Sequence, residues 1–205
     1  MRRPLIKVCG MRDADNIRRV EALGVDLIGF IFYAESARHV SEPPGYMPVK
    51  ARRVGVFVDE DISVVQRVAR TYALDYIQLH GSESPEYVNQ AARTAPVIKA
   101  FSIASEADLQ ATAAYEGLAR LFLFDAKGAA AGGNGKHFPW AVLRAYRGST
   151  PFLLSGGIAP TDAEAARRAL RHDACIGLDL NSRFEVAPAM KDIHRLETFI
   201  NTLRQ

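Results

Sequence analysis

The sequence predicts an α/β fold, a single (β/α)8 barrel over residues 1–205 with a shortened or irregular second helix. Short, nearly continuous apolar runs alternate with helical patterns eight times along the chain, which is typical of parallel strands joined by right-handed crossovers. Polar or Gly-rich residues follow nearly every run, as expected where strand ends meet at one face of a closed barrel. An open, doubly wound sheet is the alternative, but no Gly-x-Gly-x-x-Gly motif follows the first strand.

The first strand sets the pattern for the others. Leu5–Gly10 is a short apolar run that closes with Cys9 and Gly10, and Asp13 follows as a suitable N-cap of a helix. The remaining strands are predicted at Leu27–Tyr33, Val54–Val58, Tyr76–Leu79, Val97–Phe101, Leu121–Phe124, Phe152–Leu154 and Cys175–Leu180.

Helices are predicted between most of these strands, where apolar residues recur at helical spacing behind a capping residue. They are Ala14–Leu23, Ile62–Tyr72, Ser84 (as cap) to Ala95, Glu106–Tyr115, Trp140–Tyr146, Thr161 (as cap) to Leu170, and Lys191–Leu203. The second unit is the exception because prolines and a glycine crowd residues 43–48, and we expect at most a short helical turn there. A long Gly/Ala loop, Ala126 to Pro139, follows the sixth strand.

Composition excludes several classes of function. The net charge of +3 comes from scattered Lys and Arg, so we expect neither a nucleic-acid nor a membrane surface. No apolar segment has the length of a membrane span, and the N-terminus lacks the apolar region of a signal peptide. Cys9 and Cys175 lie far apart and make no disulfide framework. We therefore expect a cytoplasmic protein.

Three Gly-rich or polar pieces predict an anion site. In barrels of this kind, the loops after the seventh and eighth strands often hold a phosphate. Gly156 and Gly157 expose backbone N–H groups after the seventh strand, and Asn181-Ser182 can open a helical turn after the eighth. The Gly-rich piece 132–135, with Gly133, can close over the same anion. The alternative is that these glycines serve only tight turns.

Two groups are candidates for proton transfer. Cys9 ends the first strand, where a thiol is either a buried small hydrophobe or a reactive group. Lys7 shares its face of the strand and needs a partner carboxylate, for which Asp179 is the candidate. Asp125 follows an apolar run, where desolvation raises the pKa of a carboxyl and suits it to act as an acid. Its alternative is a helix or loop cap.

Other polar residues at strand ends complete the predicted site. Arg38 follows the second strand and suits a carboxylate, although an exposed loop arginine is usually solvated. Gln78 and His80 end the fourth strand, and a lone histidine is more often structural than catalytic. The other histidines show no spacing typical of a metal site: His39, His137, His172 and His194. The residues predict a barrel that binds a phosphorylated small molecule.

An ordered series of motifs resembles the phosphoribosylanthranilate isomerase family and spans the chain from Lys7 to Asp192. The motifs occupy residues 7–10, 55–58, 78–81, Asp125 through 132–135 to Trp140, 154–158 and 179–182. The resemblance implies a (β/α)8, or TIM, barrel enzyme of tryptophan biosynthesis. Its reaction is the Amadori rearrangement of N-(5-phosphoribosyl)anthranilate to the open-chain 1-deoxyribulose 5-phosphate.

The resemblance also implies roles for individual residues. Asp125 is the general acid that opens the furanose ring, and Cys9 is the general base that removes the C2 proton. Arg38 holds the anthranilate carboxylate. Substrate contacts are assigned to Gln78, His80 and Asp179, and phosphate contacts to Gly133, Gly156, Gly157, Asn181 and Ser182. The reaction needs no cofactor and no metal, and family members are monomers or homodimers.

The chain departs from the family pattern at Asn134, Pro139 and Arg183, and none of these changes removes a proposed catalytic group. Three rival functions are alternatives. The Amadori isomerase of histidine biosynthesis uses an aspartate where Cys9 stands, and a phosphopentose epimerase would need metal ligands on several strand ends. A non-catalytic phosphosugar-binding barrel is the rival from another class.

Overall fold

Eight parallel strands close into a barrel in a computed structural model that describes residues 3–126 and 140–204. They are β1 (Leu5–Cys9), β2 (Leu27–Ile31), β3 (Arg52–Phe57), β4 (Tyr76–Leu79), β5 (Val97–Ile103), β6 (Leu121–Ala126), β7 (Phe152–Ser155) and β8 (Cys175–Leu180). Each strand pairs in parallel with the next, and β8 returns to β1, where Lys7 lies opposite Asp179. The predicted closed barrel is confirmed, and the open sheet is wrong.

Five α-helices lie among the described residues. They are α1 (Ala14–Ala22), α2 (Ile62–Thr71), α3 (Pro85–Ala92), α4 (Ala163–Ala169) and α5 (Ile193–Arg204). The predicted N-caps of α1 and α3 are confirmed, since Asp13 accepts from the Asn16 backbone N–H and Ser84 from that of Tyr87. Thr161 is not a cap: it lies within a 3₁₀ turn, Pro160–Asp162, and α4 begins after that turn.

Two of the predicted helices are 3₁₀ segments. Glu106–Tyr115 and Trp140–Ala145 occupy nearly the predicted residues but wind more tightly. In the first of them only Leu109 and Thr112 are buried. Their spacing of three residues matches the three residues per turn of a 3₁₀ helix, so both side chains face the barrel.

The second unit contains no helix, as the prolines predict. Residues 32–51 form turns and irregular chain between β2 and β3. This segment is fastened by Glu21, which is 6% exposed. The Glu21 carboxylate accepts hydrogen bonds from the Tyr46 hydroxyl and from three consecutive backbone N–H groups, those of residues 49–51, at 2.5–2.9 Å. Hydrogen bonds to this one buried carboxylate therefore hold residues 46–51 to α1, in a unit that has no helix of its own.

An antiparallel hairpin after β8 was not predicted. It consists of β9 (Glu185–Ala187) and β10 (Met190–Lys191) and follows a 3₁₀ turn, Ser182–Phe184. The last helix accordingly begins at Ile193 rather than at Lys191.

The barrel has two apolar layers. A small cluster fills its interior and is formed by Leu27, Val54, Ile98, Ala100, Leu121 and Leu123. The larger core lies between the outer faces of the strands and the surrounding helices. Farther along the strands the buried inward positions become polar, with Lys7, Gln78 and Asp179. Among the described residues, no helix is long and apolar enough to cross a membrane.

Candidate active site

The carboxyl ends of the strands surround a cavity of about 210 Å³. Most of the site residues predicted from the sequence line it: Cys9, Gln78, His80, Asp125, Gly156, Gly157, Asp179, Asn181 and Ser182. Arg38 does not line the cavity but lies at its edge, next to Gly10 and Asn181. Gly133 lies outside the described residues. A larger groove of about 900 Å³ lies on the outside of the barrel, between Trp140–Ala145 and α4, and none of the predicted residues lines it.

Cys9 is held at the end of β1 with its thiol against β2. It is 4% exposed, and a Cβ atom at Gly29 would lie 2.7 Å from its Sγ atom. Only glycine at that position leaves room for the thiol. Burial raises the pKa of Cys9, and Lys7 and Lys191 oppose that shift without cancelling it. The thiol form therefore predominates at neutral pH, and nearby cations stabilise the thiolate when it forms.

A buried ion pair lies next to Cys9 and includes Lys7, two residues earlier on β1. Lys7 Nζ lies 2.9 Å from Asp179 Oδ1, and the two side chains are 0% and 5% exposed. Burial on its own would lower the pKa of Lys7, but Asp179 and the Cys9 thiol outweigh it, so the pKa is raised. The predicted pairing of Lys7 with Asp179 is confirmed. Asp179 also lies 3.4 Å from the Ser155 hydroxyl, so it links β1, β8 and β7.

Asp125 stands on β6 across the cavity, beside the histidine of β4. Its Oδ2 atom lies 3.4 Å from His80 Nε2, and both side chains are about one-third exposed, 32% and 31%. Gln78 Nε2 lies 3.0 Å from His80 Nδ1. When the amide donates to Nδ1, the ring proton is on Nε2, facing Asp125. Gln78 Oε1 is a buried side-chain atom with no hydrogen-bond partner among the described residues.

The described residues of the predicted anion site lie at the ends of β7 and β8. Gly156 and Gly157 both adopt positive φ, 92° and 65°, which favours glycine. Their backbone N–H groups and that of Ser182 donate to no acceptor within residues 3–126 and 140–204. Unpaired N–H groups that converge with a 3₁₀ turn suit a phosphate. Arg183 lines the same end of the cavity and adds a positive charge.

Arg38 is tied to a residue that was not predicted. Its guanidinium forms a two-pronged ion pair with Glu185 of β9 at 2.6–3.1 Å. Lys191 of β10 contacts the same carboxylate. The sequence around Glu185 and Lys191 shows no motif or periodicity that predicts a role for either residue. Within the described ranges, no group of three His, Cys, Asp or Glu side chains could hold a metal ion.

Comparison with known proteins gives a consistent result along the chain. A family model described as N-(5'phosphoribosyl)anthranilate (PRA) isomerase matches residues 6–202. A Phocaeicola vulgatus protein named N-(5'-phosphoribosyl)anthranilate isomerase is 49% identical over 202 residues, which covers 98% of this chain and 98% of the relative. A Parabacteroides distasonis protein of the same name is 47% identical over 206 residues, covering 97% and 93%.

Solved structures show the same likeness in three dimensions. Phosphoribosyl anthranilate isomerase from Thermotoga maritima superposes with a TM-score of 0.83 at 30% identity, covering 98% of each chain. A phosphoribosyl anthranilate isomerase in complex with reduced 1-(o-carboxyphenylamino)-1-deoxyribulose 5-phosphate superposes with a TM-score of 0.81 at 27% identity, again covering 98% of each chain.

Proposed function

The chain belongs to the N-(5'-phosphoribosyl)anthranilate isomerase family, and from that premise we propose how its own residues perform the isomerisation. The family is one of isomerases in tryptophan biosynthesis. The observation that supports the proposal is that one cavity combines a thiol, a carboxyl group and unpaired backbone N–H groups on β1, β6 and β7.

The acid step is assigned to Asp125. In its protonated form it gives a proton to the furanose ring oxygen of N-(5-phosphoribosyl)anthranilate, the C1–O bond breaks, and a Schiff base forms with the anthranilate nitrogen. The Nε2 proton of His80 faces the carboxylate that is left and stabilises its charge. We assign Gln78 and His80 to support of the acid as well as to contacts with the sugar, and their mutual contact is consistent with that assignment.

The base step is assigned to Cys9. Its thiolate takes the proton from C2, and the electron pair moves toward the iminium nitrogen to give an enolamine. This intermediate then tautomerises to the ketone. No cofactor is required because the nitrogen itself accepts the electron pair. Lys7 supports the thiolate from below, and Asp179 is positioned to contact the ribose hydroxyl groups.

The two anionic ends of the substrate are assigned to separate groups of residues. The phosphate binds to the N–H groups of Gly156 and Gly157 and to Asn181 and Ser182. Gly133, outside the described residues, completes that site in our proposal. The anthranilate carboxylate binds to Arg38 at the edge of the cavity. Fixing both ends holds C1 and C2 between the acid and the base.

We propose that residues 1–205 act as one barrel domain in the cytoplasm, as a monomer or a homodimer. No nucleic acid and no membrane takes part. A structure from Thermotoga maritima is described as monomers generated from a dimeric isomerase, so relatives of this kind can occur in either form.

The proposal is tested by fluorescence-monitored turnover of freshly generated phosphoribosylanthranilate, with a metal chelator present. We expect Cys9→Ser and Asp125→Asn to lose about 10²–10⁴-fold in kcat, the usual contribution of a positioned acid or base. Both variants should still bind the reduced product analogue. Cys175→Ser is the matched control, since that thiol is equally buried at the start of β8 and burial raises its pKa to about 12.

Two results would count against the assignment. A wild-type protein that binds the analogue but does not consume the substrate would be a phosphosugar-binding barrel. Full activity in Cys9→Ser would return Cys9 to a packing role and leave the base to another group.

A further inference from the structure

The hairpin after β8 brings a buried carboxylate between two cations at the edge of the cavity. Glu185 has a side chain that is 6% exposed, and Lys191 has one that is 0% exposed. Lys191 Nζ lies 2.5 Å from Glu185 Oε1. On the other side, Arg38 Nε lies 2.9 Å from Oε1, and Arg38 Nη2 lies 2.6 Å from Oε2. The carboxylate is thus shared by an arginine of the second unit and a lysine of the hairpin.

This contact leaves one edge of the arginine for another partner. Nε and Nη2 are both engaged by Glu185, while Nη1 makes no hydrogen bond to any described residue. The aliphatic part of Arg38 lies against Gly10, where an added Cβ would be only 2.6 Å from Cδ. The side chain is therefore fixed at both its stem and its head, directly beside the residue that follows Cys9.

The charges of the group do not balance. Two cations, Arg38 and Lys191, share one carboxylate, so one positive charge is left over. Hydrogen bonds from Arg38 and Lys191 keep the pKa of Glu185 below its ordinary range although burial alone would raise it. The carboxylate is therefore ionised at neutral pH, and the surplus charge of the group matches one incoming anionic group.

We propose that Glu185 is a specificity-determining positioning residue that aims the free edge of Arg38 at the carboxylate of the substrate. The inference rests on the proposed function, which assigns Arg38 to that carboxylate. Glu185 does not touch the substrate. It acts by holding two of the arginine's nitrogens, so that the remaining donors are presented in one orientation before the substrate arrives.

The same hairpin reaches the phosphate end. Lys191 Nζ lies 2.8 Å from Asn181 Oδ1, and the Lys191 backbone is fixed in both directions by the buried side chain of Asn16 on α1. One hairpin thus orders a residue of the carboxylate end and a residue of the phosphate end.

The test compares two ligands by calorimetry, the reduced product analogue and the same molecule with a phenyl ring that lacks the carboxylate. We expect the wild type to bind the carboxylate-bearing ligand more tightly than the phenyl ligand. In Glu185→Gln the ratio of the two dissociation constants should fall about tenfold. Binding of the phenyl ligand should be unchanged. In an Arg38→Met background, Glu185→Gln should have no further effect on the preference. Glu35→Gln removes an exposed carboxylate of the loop that carries Arg38 and serves as the charge control.

If Glu185 had a purely structural role, Glu185→Gln would weaken the binding of both ligands by the same factor. An unchanged or increased preference in Glu185→Gln would overturn the inference while leaving the proposed function intact. Absence of any preference in the wild type would overturn the assignment of Arg38 and this inference together. If Glu185→Gln does not fold, Glu185→Asp gives the same reading: it keeps the charge but cannot reach both arginine nitrogens, so an intermediate preference is expected.

Discussion

Removal of the Lys7 ammonium group should strongly destabilise the barrel. Lys7 is fully buried, and among the described residues its one carboxylate partner is Asp179, which is 5% exposed. In Lys7→Met the cation is replaced by an apolar chain of similar length. Of its side-chain contacts within residues 3–126 and 140–204, Asp179 then keeps the Ser155 hydroxyl, at 3.4 Å.

The magnitude follows from leaving a buried charge without its partner. Breaking one side of a buried pair costs about 3–5 kcal/mol, whereas replacing both partners with apolar residues is often neutral or stabilising. For a domain of this size, 1 kcal/mol corresponds to about 2–4 °C in Tm. We therefore expect Lys7→Met to lower Tm by about 6–20 °C. The double variant Lys7→Met/Asp179→Leu should recover most of that loss.

The free energy of unfolding is measured by urea titration, with Tm from circular dichroism. Arg18→Met is the matched control, because it breaks an ion pair with Asp15 in which the side chains are 50% and 86% exposed, and it should change stability little. A loss of less than about 1 kcal/mol in Lys7→Met would refute the reasoning. So would a double variant that is no more stable than the single one, since the penalty would then not come from the stranded carboxylate.

Three further predictions concern the site and its supports. Because burial raises the pKa of Cys9, the fraction of thiolate, the form in which Cys9 is assigned as the base, increases with pH. The value of kcat/KM should therefore still be increasing through pH 8–9, and a flat profile there contradicts the assigned base. Gly10→Ala places a Cβ against Arg38 at a φ of +76°. This change should lower the free energy of unfolding, measured in urea, by about 1–2 kcal/mol and should weaken binding of the analogue. Unchanged binding would contradict the packing of Arg38 against Gly10. Glu21→Ala strands the donors of residues 49–51 and should cost about 2 kcal/mol with faster amide exchange there; unaltered exchange would contradict it.

The barrel could be predicted because each unit repeats the same physical requirement. A strand that is buried on both faces must be apolar, and it must end in residues that tolerate a turn. Leu5–Cys9 and Cys175–Leu180 satisfy this apart from Lys7 and Asp179, which pair with each other where closure brings the two strands together. The sequence indicates Cys9, Asp125 and Gly157 as candidates for the same reason, since Cys9 ends an apolar run, Asp125 directly follows one, and Gly157 lies in the turn after another.

The features that were missed depend on contacts far apart in the sequence. Glu185 and Lys191 lie in strands of only three and two residues, too short to show a period. Their importance comes from Arg38, which precedes Glu185 by 147 positions. Likewise, the sequence of Glu106–Tyr115 predicts a helix, but local helix propensity does not distinguish an α-helix from the observed 3₁₀ helix.

A crystal structure of this protein with the reduced product analogue tests the central claim most directly. The account predicts that Cys9 Sγ lies about 3–3.5 Å from the carbon that corresponds to C2, and that Asp125 is equally close to the oxygen that leaves the ring. The phosphate should lie on the N–H groups of Gly156 and Gly157. An analogue bound with its phosphate elsewhere, or with C2 out of reach of Cys9, would contradict the account.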